Sequence, residues 1–276
     1  MKNYLFLILA LFFSSSFAQN HVHQVLILNE GVYGYESPVS VGSYDPFTES
    51  YTSVVEIDSS RFASDLIIDG TFFYVAADNK ILKYHLDTYE LISEVNIDGV
   101  RNLAIHNNYL FASRGEYDPV TWGSVPYNSY LHVYDKNNLS YVTELDTING
   151  PKSTTQNLIV DNGKLYVAIN NGFEWGNEEG LVGVIDVNSL DYISEFDLGD
   201  NGKNPDNMML YENNIYTVNN KDWSGSSISQ INLETGTVVT KNISAAPTGC
   251  GTSCLKSGKI IYQISQDSLL FQWDPM

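Results

Sequence analysis

Basic residues are scarce in this 276-residue chain, where 14 Lys and Arg stand against 33 Asp and Glu and the formal net charge is −19. Nucleic acids and anionic membrane surfaces recruit proteins through clustered Lys and Arg, so the sequence argues against both as partners. The negative charge is spread along the chain rather than gathered in a tail. This pattern is typical of an exported protein that its charge keeps in solution.

Long apolar runs are absent apart from residues 4–13, a stretch too short to span a bilayer. Lys2 precedes this run, and a Ser-Phe-Ala cleavage site ending at Ala18 follows it. These features predict a signal peptide over residues 1–18 and a mature chain over 19–276 that is secreted, periplasmic or at the cell surface, and does not span the membrane. No cysteine lies near the cleavage site, so a lipid anchor is not expected.

Only two cysteines occur, Cys250 and Cys254, in the segment GCGTSC. Export permits a disulfide between them, which would pin a local turn, and two unpaired thiols are the alternative. A zinc site is not expected, because two cysteines leave two tetrahedral positions unfilled and no His lies near them in sequence.

Catalytic and cofactor motifs are missing as well. The chain has no G-x-S-x-G, no P-loop, no H-E-x-x-H and no D-x-D-x-D-G calcium loop. Carboxylates are plentiful, but no pair stands out by position as an acid/base dyad. We therefore expect a protein that is not an enzyme and that carries neither a metal nor a cofactor.

What the chain does contain is a repeat. Each unit has a short apolar strand with an aromatic residue, a loop, a second strand ending near an acidic turn, and a third strand. The units recur every 37 to 55 residues, and four short strands per unit at this spacing are typical of a β-propeller. The aromatic residues that mark the register are Tyr74, Phe111, Tyr166, Tyr216 and Tyr262.

The clearest unit runs from Asn207 to Ile243, with strands A to D reading NMMLY, IYTVNN, SISQINL and TVVTKNI. Six such units can be traced; the first lacks strand A and the last stops after strand C. The prediction is an all-β propeller of four-stranded blades, about six of them present, forming one domain over residues 19–276. Propellers normally close by joining the last strand to the first blade, so we expect a chain truncated from seven blades. A complete chain that closes imperfectly is the alternative.

The loops are unequal in length. A–B and C–D turns are tight and share one face, whereas B–C loops are long and lie on the other face, where binding residues usually sit. These long loops are rich in exposed aromatic side chains, which offer rigid contact area for a ligand; packing of the rings on one another is the alternative. The aromatic candidates for ligand binding are Tyr33, Tyr35, Tyr117, Trp122, Tyr127, Phe173, Trp175 and Trp223.

Polar residues complete the predicted binding face. Arg61 and Arg101 precede strand A in their units and Arg114 opens the longest B–C loop, so all three are candidates for ligand contact or for pairing with nearby acids. Strand A begins with a polar residue in four units, where the side chain could hold a ligand or satisfy backbone groups. These residues are Asp65, Asn102, Asn157 and Asn207.

The segment LNEGVYGYESPVSVGSYDP resembles the opening of secreted and surface propellers of Bacteroidota in the YncE-like, surface-layer-type family. The segment GKLYVAINN and the following GLVGVIDVNSLDYISEFDLGDNGKNPDNMML are similar to the repeat of the same family. The resemblance implies seven blades. It also implies that the protein could capture corrinoids at the cell surface for a TonB-dependent outer-membrane transporter, as some family members, generally lipoproteins, do.

These observations predict an exported, non-enzymatic propeller that binds a small molecule, a corrinoid or a similar cofactor-sized compound, across its long-loop face. Two alternatives remain open. One is a hydrolase or lactonase with a metal at the channel mouth, held by Glu30 and the strand-A Asp and Asn residues. The other is a cell-surface module that uses the same face to bind a protein.

Overall fold

The computed structural model describes residues 22–31, 38–249, 253–265, 267 and 269–275. The predicted signal peptide, Tyr33, Tyr35 and Cys250 lie outside this part of the chain. Cys254 is exposed, and its pairing with Cys250 stays a prediction.

Six antiparallel sheets follow one another along the chain, and each forms one blade of a β-propeller. The predicted all-β propeller of about six blades is thereby confirmed. Blade 1 is built from β1 (Val25–Asn29), β2 (Val39–Asp45) and β3 (Ser50–Ile57). Blade 2 is built from β4 (Asp65–Asp69), β5 (Phe72–Ala77), β6 (Lys80–His85) and β7 (Leu91–Asn96). Blade 3 is built from β8 (Val100–His106), β9 (Tyr109–Arg114), β12 (Ser129–Asp135) and β13 (Tyr141–Asp146). Between β9 and β12 the chain forms a hairpin of β10 (Tyr117–Asp118) and β11 (Gly123–Ser124).

Blades 4 and 5 repeat the four-stranded order, and blade 6, like blade 1, has three strands. Blade 4 is built from β14 (Thr155–Asp161), β15 (Lys164–Ile169), β16 (Leu181–Asp186) and β17 (Tyr192–Asp197). Blade 5 is built from β18 (Pro205–Tyr211), β19 (Asn214–Asn219), β20 (Ser226–Asn232) and β21 (Val238–Ser244). Blade 6 is built from β22 (Ser253–Lys256), β23 (Lys259–Gln263) and β24 (Leu270–Trp273). A single 3-10 turn, Asp200–Gly202, joins blades 4 and 5. Within the described residues, no helix is long and apolar enough to cross a bilayer.

The core lies between the blades. Successive side chains of a strand point to opposite faces of its sheet, so strand B can feed both neighbouring interfaces. In β5, Phe73 and Val75 pack with blade 1, whereas Tyr74 and Ala76 pack with blade 3. Five apolar clusters of this kind join consecutive blades. Burial on both faces explains why the strand-B sequences read as continuous apolar runs.

Polar residues at the start of strand A link blade 2 to blade 3, blade 4 to blade 5 and blade 5 to blade 6. Asp65 accepts a hydrogen bond from the Leu103 amide at 2.8 Å, and Asn157 accepts one from the Met208 amide at 3.3 Å. The Nδ2 of Asn207 donates to the Ser253 carbonyl at 2.8 Å. These three side chains satisfy backbone groups, one of the two roles predicted for the strand-A positions. Asn102 differs, since its buried Oδ1 has no hydrogen-bond partner among the described residues. This ladder fixes the blades beneath the long-loop face.

Candidate functional site

A cavity of about 550 Å³ opens on the long-loop face, within the range of pockets that bind small molecules. Loops from blades 3, 4 and 5 form it, together with the β3–β4 connection. Every side chain of its wall is aromatic or charged, and glycines supply the rest. The lining residues are Phe62, Arg101, Gly115, Glu116, Tyr117, Gly172, Phe173, Trp175 and Trp223.

Arg101 projects from β8 into the wall of this cavity. Its guanidinium lies 5.8 Å from the ring centroid of Phe62 and 5.5 Å from that of Phe173, both within cation–π range. Its Nε donates to Oε1 of Gln156 at 3.0 Å. These contacts hold the positive charge against two aromatic faces, so Arg101 and the rings position one another.

Besides Arg101, the site has a second polar feature, a hydrogen-bonded group of four side chains. Arg61 donates through Nη2 to Oδ1 of Asp78 at 2.6 Å and to Oε1 of Glu116 at 2.7 Å. The Tyr127 hydroxyl donates to Oε2 of Glu116 at 2.7 Å. Burial and the Glu116 carboxylate raise the pKa of Tyr127, so its hydroxyl stays protonated as a donor. Glu116 is the member of this group that reaches the cavity wall.

Arg114 lies beneath the cavity rather than in its wall. It is buried at the end of β9, where it donates to the backbone carbonyls of Asp98 at 3.0 Å and Ser129 at 2.9 Å. Its guanidinium stands 3.9 Å from the centroid of Tyr127 and therefore supports that ring from below. Burial, with the Arg114 charge, lowers the pKa of neighbouring His132 to about 4, so this imidazole is neutral near pH 7.

The three loop tryptophans differ in their surroundings. Trp175 and Trp223 line the cavity with 74% and 38% of their surface exposed. Trp122 is 75% exposed near the end of the β10–β11 hairpin and does not line the cavity. The hairpin is attached to the blade 4 loop, because the Ser124 amide donates to Oε1 of Glu174 at 2.7 Å. Trp122 thus lies beside the cavity, on the same face.

The structure brings together part of the residue set that the sequence predicts. One cavity contains Arg101, Tyr117, Phe173, Trp175 and Trp223. The other described candidates lie around it: Arg61 and Tyr127 contact Glu116, Arg114 lies beneath Tyr127, and Trp122 stands to one side.

Two side chains of the cavity wall were not predicted from the sequence. Phe62 belongs to a short connection ahead of strand A rather than to a long loop, and Glu116 is one acidic residue among 33 Asp and Glu. The available signals were weak: Phe62 follows the candidate Arg61, and Glu116 precedes the candidate Tyr117. Among the residues described, no group of three or more His, Cys, Asp or Glu could hold a metal ion.

No protein-family model and no curated protein matches the chain. Among solved structures, Kuenenia stuttgartiensis hydrazine synthase is similar in shape, with a TM-score of 0.64 at 14% sequence identity. The match covers 82% of this chain and 70% of that chain. At this identity the similarity concerns the fold alone, and it supports the assignment of the chain as a β-propeller.

Proposed function

We propose that this protein is an exported, non-enzymatic propeller that captures a ring-shaped molecule of cofactor size in the aromatic cavity. The observation that carries the proposal is the cavity wall. Five aromatic side chains, from the loops of blades 3, 4 and 5 and from the β3–β4 connection, surround one open space. Such a wall favours flat ligands, because aromatic faces stack on rings and bury large areas at low entropic cost. The rigid blades position these rings before any ligand arrives.

A corrinoid is the first candidate ligand. The basis is the resemblance of segments such as LNEGVYGYESPVSVGSYDP to YncE-like propellers of Bacteroidota. A corrinoid is larger than the cavity and would seat one side there while covering the exposed rings of Trp175 and Trp223. By the same resemblance, the bound molecule would pass to a TonB-dependent outer-membrane transporter.

Incubation with cyanocobalamin, followed by desalting and an absorption spectrum, tests the proposal. The expected result is a coloured protein that retains about one corrinoid per chain. Trp175→Ala and Trp223→Ala should each weaken the binding about tenfold, because tryptophans at the centre of a contact are frequent hot spots. Trp122→Ala is the matched control, because it removes a similar exposed ring outside the cavity. A colourless protein after desalting would contradict the corrinoid assignment.

A protein-interaction module is the second candidate, supported by the β10–β11 hairpin. Val120 and Trp122 are both largely exposed on this hairpin, and exposed apolar side chains in one place are typical of interaction sites. Cosedimentation with outer-membrane vesicles from the source cells checks this function. A Val120→Ser/Trp122→Ser variant should lose cosedimentation while keeping any corrinoid binding, and equal cosedimentation of both proteins would count against the module.

A further inference from the structure

We propose that Glu116 determines which ligands the cavity accepts, by reading an N–H donor on the edge of a flat ring system. This inference rests on the proposed function, since it requires that the aromatic cavity binds a ring-shaped molecule. It adds the chemical class of that molecule: a flat ring that carries a hydrogen-bond donor in its plane, such as a ring N–H, an amine or a primary amide.

The carboxylate of Glu116 is held from both sides. Its Oε1 accepts from Arg61 and its Oε2 from Tyr127, each at 2.7 Å. The backbone is fixed as well, because the Val125 amide donates to the Glu116 carbonyl at 2.9 Å. The side chain is therefore fixed in place before a ligand arrives.

Two donors do not exhaust this carboxylate. Each carboxylate oxygen can accept about two hydrogen bonds. With one donor each among the described residues, Oε1 and Oε2 of Glu116 each retain one acceptor position. Glu116 lines the cavity and its side chain is 21% exposed. The proposal directs the remaining acceptor capacity toward this cavity, whose other walls are mostly aromatic. A bond to an ionised acceptor in such surroundings is stronger than one to a neutral acceptor.

The charge balance of the group points in the same direction. Arg61 bonds to both Asp78 and Glu116, so one guanidinium serves two carboxylates and one negative charge is left over. This excess favours a donor over an anion at the same position. Arg101 places a positive charge elsewhere in the wall, so the cavity does not simply attract cations. What distinguishes Glu116 is a carboxylate that two donors already hold in the cavity wall.

Glu116→Gln is the informative substitution because it keeps size and shape. Arg61 can still donate to the amide oxygen of the new side chain. The Tyr127 hydroxyl can turn and accept from the amide nitrogen, because a phenol serves as donor or acceptor. The supporting group therefore survives, and the cavity loses only the ionised acceptor. Glu234→Gln is the matched control, since it removes one charge from an exposed turn on the opposite face.

The probes are acridone and 10-methylacridone, two neutral, flat tricyclic ketones that differ in one ring N–H. Quenching of tryptophan fluorescence reports their binding. The wild-type protein should bind acridone about tenfold more tightly than 10-methylacridone, as a bond to a charged acceptor implies. The Glu116→Gln variant should lose most of this preference, and the Glu234→Gln variant should keep it.

Three results would overturn the inference: equal affinity of the wild-type protein for the two probes, an unchanged preference in Glu116→Gln, or no binding of either probe at its solubility limit. A separate titration with cyanocobalamin keeps the two proposals apart. If cyanocobalamin does not bind but the preference for acridone is present, only the corrinoid assignment is wrong. If cyanocobalamin binds but the protein shows no preference for acridone, only the inference about Glu116 is wrong.

Discussion

Tyr127 and Glu116 stand at opposite ends of the same long loop, and the tyrosine hydroxyl joins them with a 2.7 Å hydrogen bond to Oε2 of the carboxylate. This bond closes the loop of blade 3 on itself. It also ties the buried Arg114, which lies under the Tyr127 ring, to the wall of the cavity. The Tyr127 phenol thus links the propeller core to the Glu116 carboxylate, which Arg61 also holds.

Tyr127→Phe removes the hydroxyl and keeps the ring over Arg114. The variant should lose about 1 kcal/mol of unfolding free energy, the usual contribution of one hydrogen bond, and should bind acridone severalfold more weakly. Urea unfolding and fluorescence titration measure the two effects. Tyr109→Phe, at the start of β9 beside an A–B turn on the opposite face, is the control and should leave binding unchanged. Wild-type affinity in the Tyr127→Phe variant would mean that the bond does not position Glu116.

Trp122 adopts a left-handed backbone with φ of 62°, a conformation unfavourable for a bulky side chain. Leu139 has a similar φ of 58°, but its side chain is only 2% exposed, so burial offsets the strain. Trp122 is 75% exposed and gains no comparable burial. An exposed, strained tryptophan on the long-loop face is a candidate for a functional role, because strain often persists where function requires it.

Trp122→Asn should therefore stabilise the protein by about 0.5–1 kcal/mol, because asparagine tolerates the left-handed conformation. Leu139→Asn, at the same backbone conformation, should destabilise it by about 2 kcal/mol or more through lost burial. The midpoints of urea unfolding at constant m-value give both numbers. A less stable Trp122→Asn protein would show that the ring contributes contacts that outweigh its strain.

The blade architecture could be predicted because it depends on short-range patterns. Tyr74, Phe111 and Tyr166 mark strands buried on both faces, and their regular recurrence predicts the propeller. The site was less accessible because it depends on which way individual side chains turn. Arg114 begins a long loop, yet it turns inward to the carbonyls of Asp98 and Ser129, residues that only the fold brings near it.

Asn207 links blades 5 and 6 through hydrogen bonds from its Nδ2 to the carbonyl of Ser253 at 2.8 Å and to its hydroxyl at 3.0 Å. Asn207→Ala should destabilise the protein by about 1–2 kcal/mol, because the Ser253 carbonyl loses its partner. Hydrogen exchange should accelerate in β22 and β23 and remain unchanged in β4 and β5, which serve as an internal control. Uniform acceleration along the whole chain would contradict a local link between two blades.

Asp65 occupies the position that asparagine takes in Asn102, Asn157 and Asn207, and it is the ionisable member of this set. Burial raises its pKa, although the hydrogen bond from the Leu103 amide opposes the shift. The folded protein therefore holds the Asp65 proton more tightly than the unfolded chain does. The contribution of Asp65 to the free energy of unfolding is fully present below its pKa in the unfolded chain, about 3.9. This contribution is lost as the pH rises through the pKa of Asp65 in the folded protein.

Asp65→Asn keeps an oxygen to accept from the Leu103 amide and removes the buried charge. At pH 7 the variant should be more stable than the wild-type protein, and its advantage should shrink as the pH falls toward 4. Urea unfolding of both proteins at several pH values between 4 and 8 measures the difference. Asp87→Asn, at an exposed turn, is the charge-matched control and should show no such trend. A stability difference that does not change with pH would mean that the raised pKa of Asp65 is not its cause.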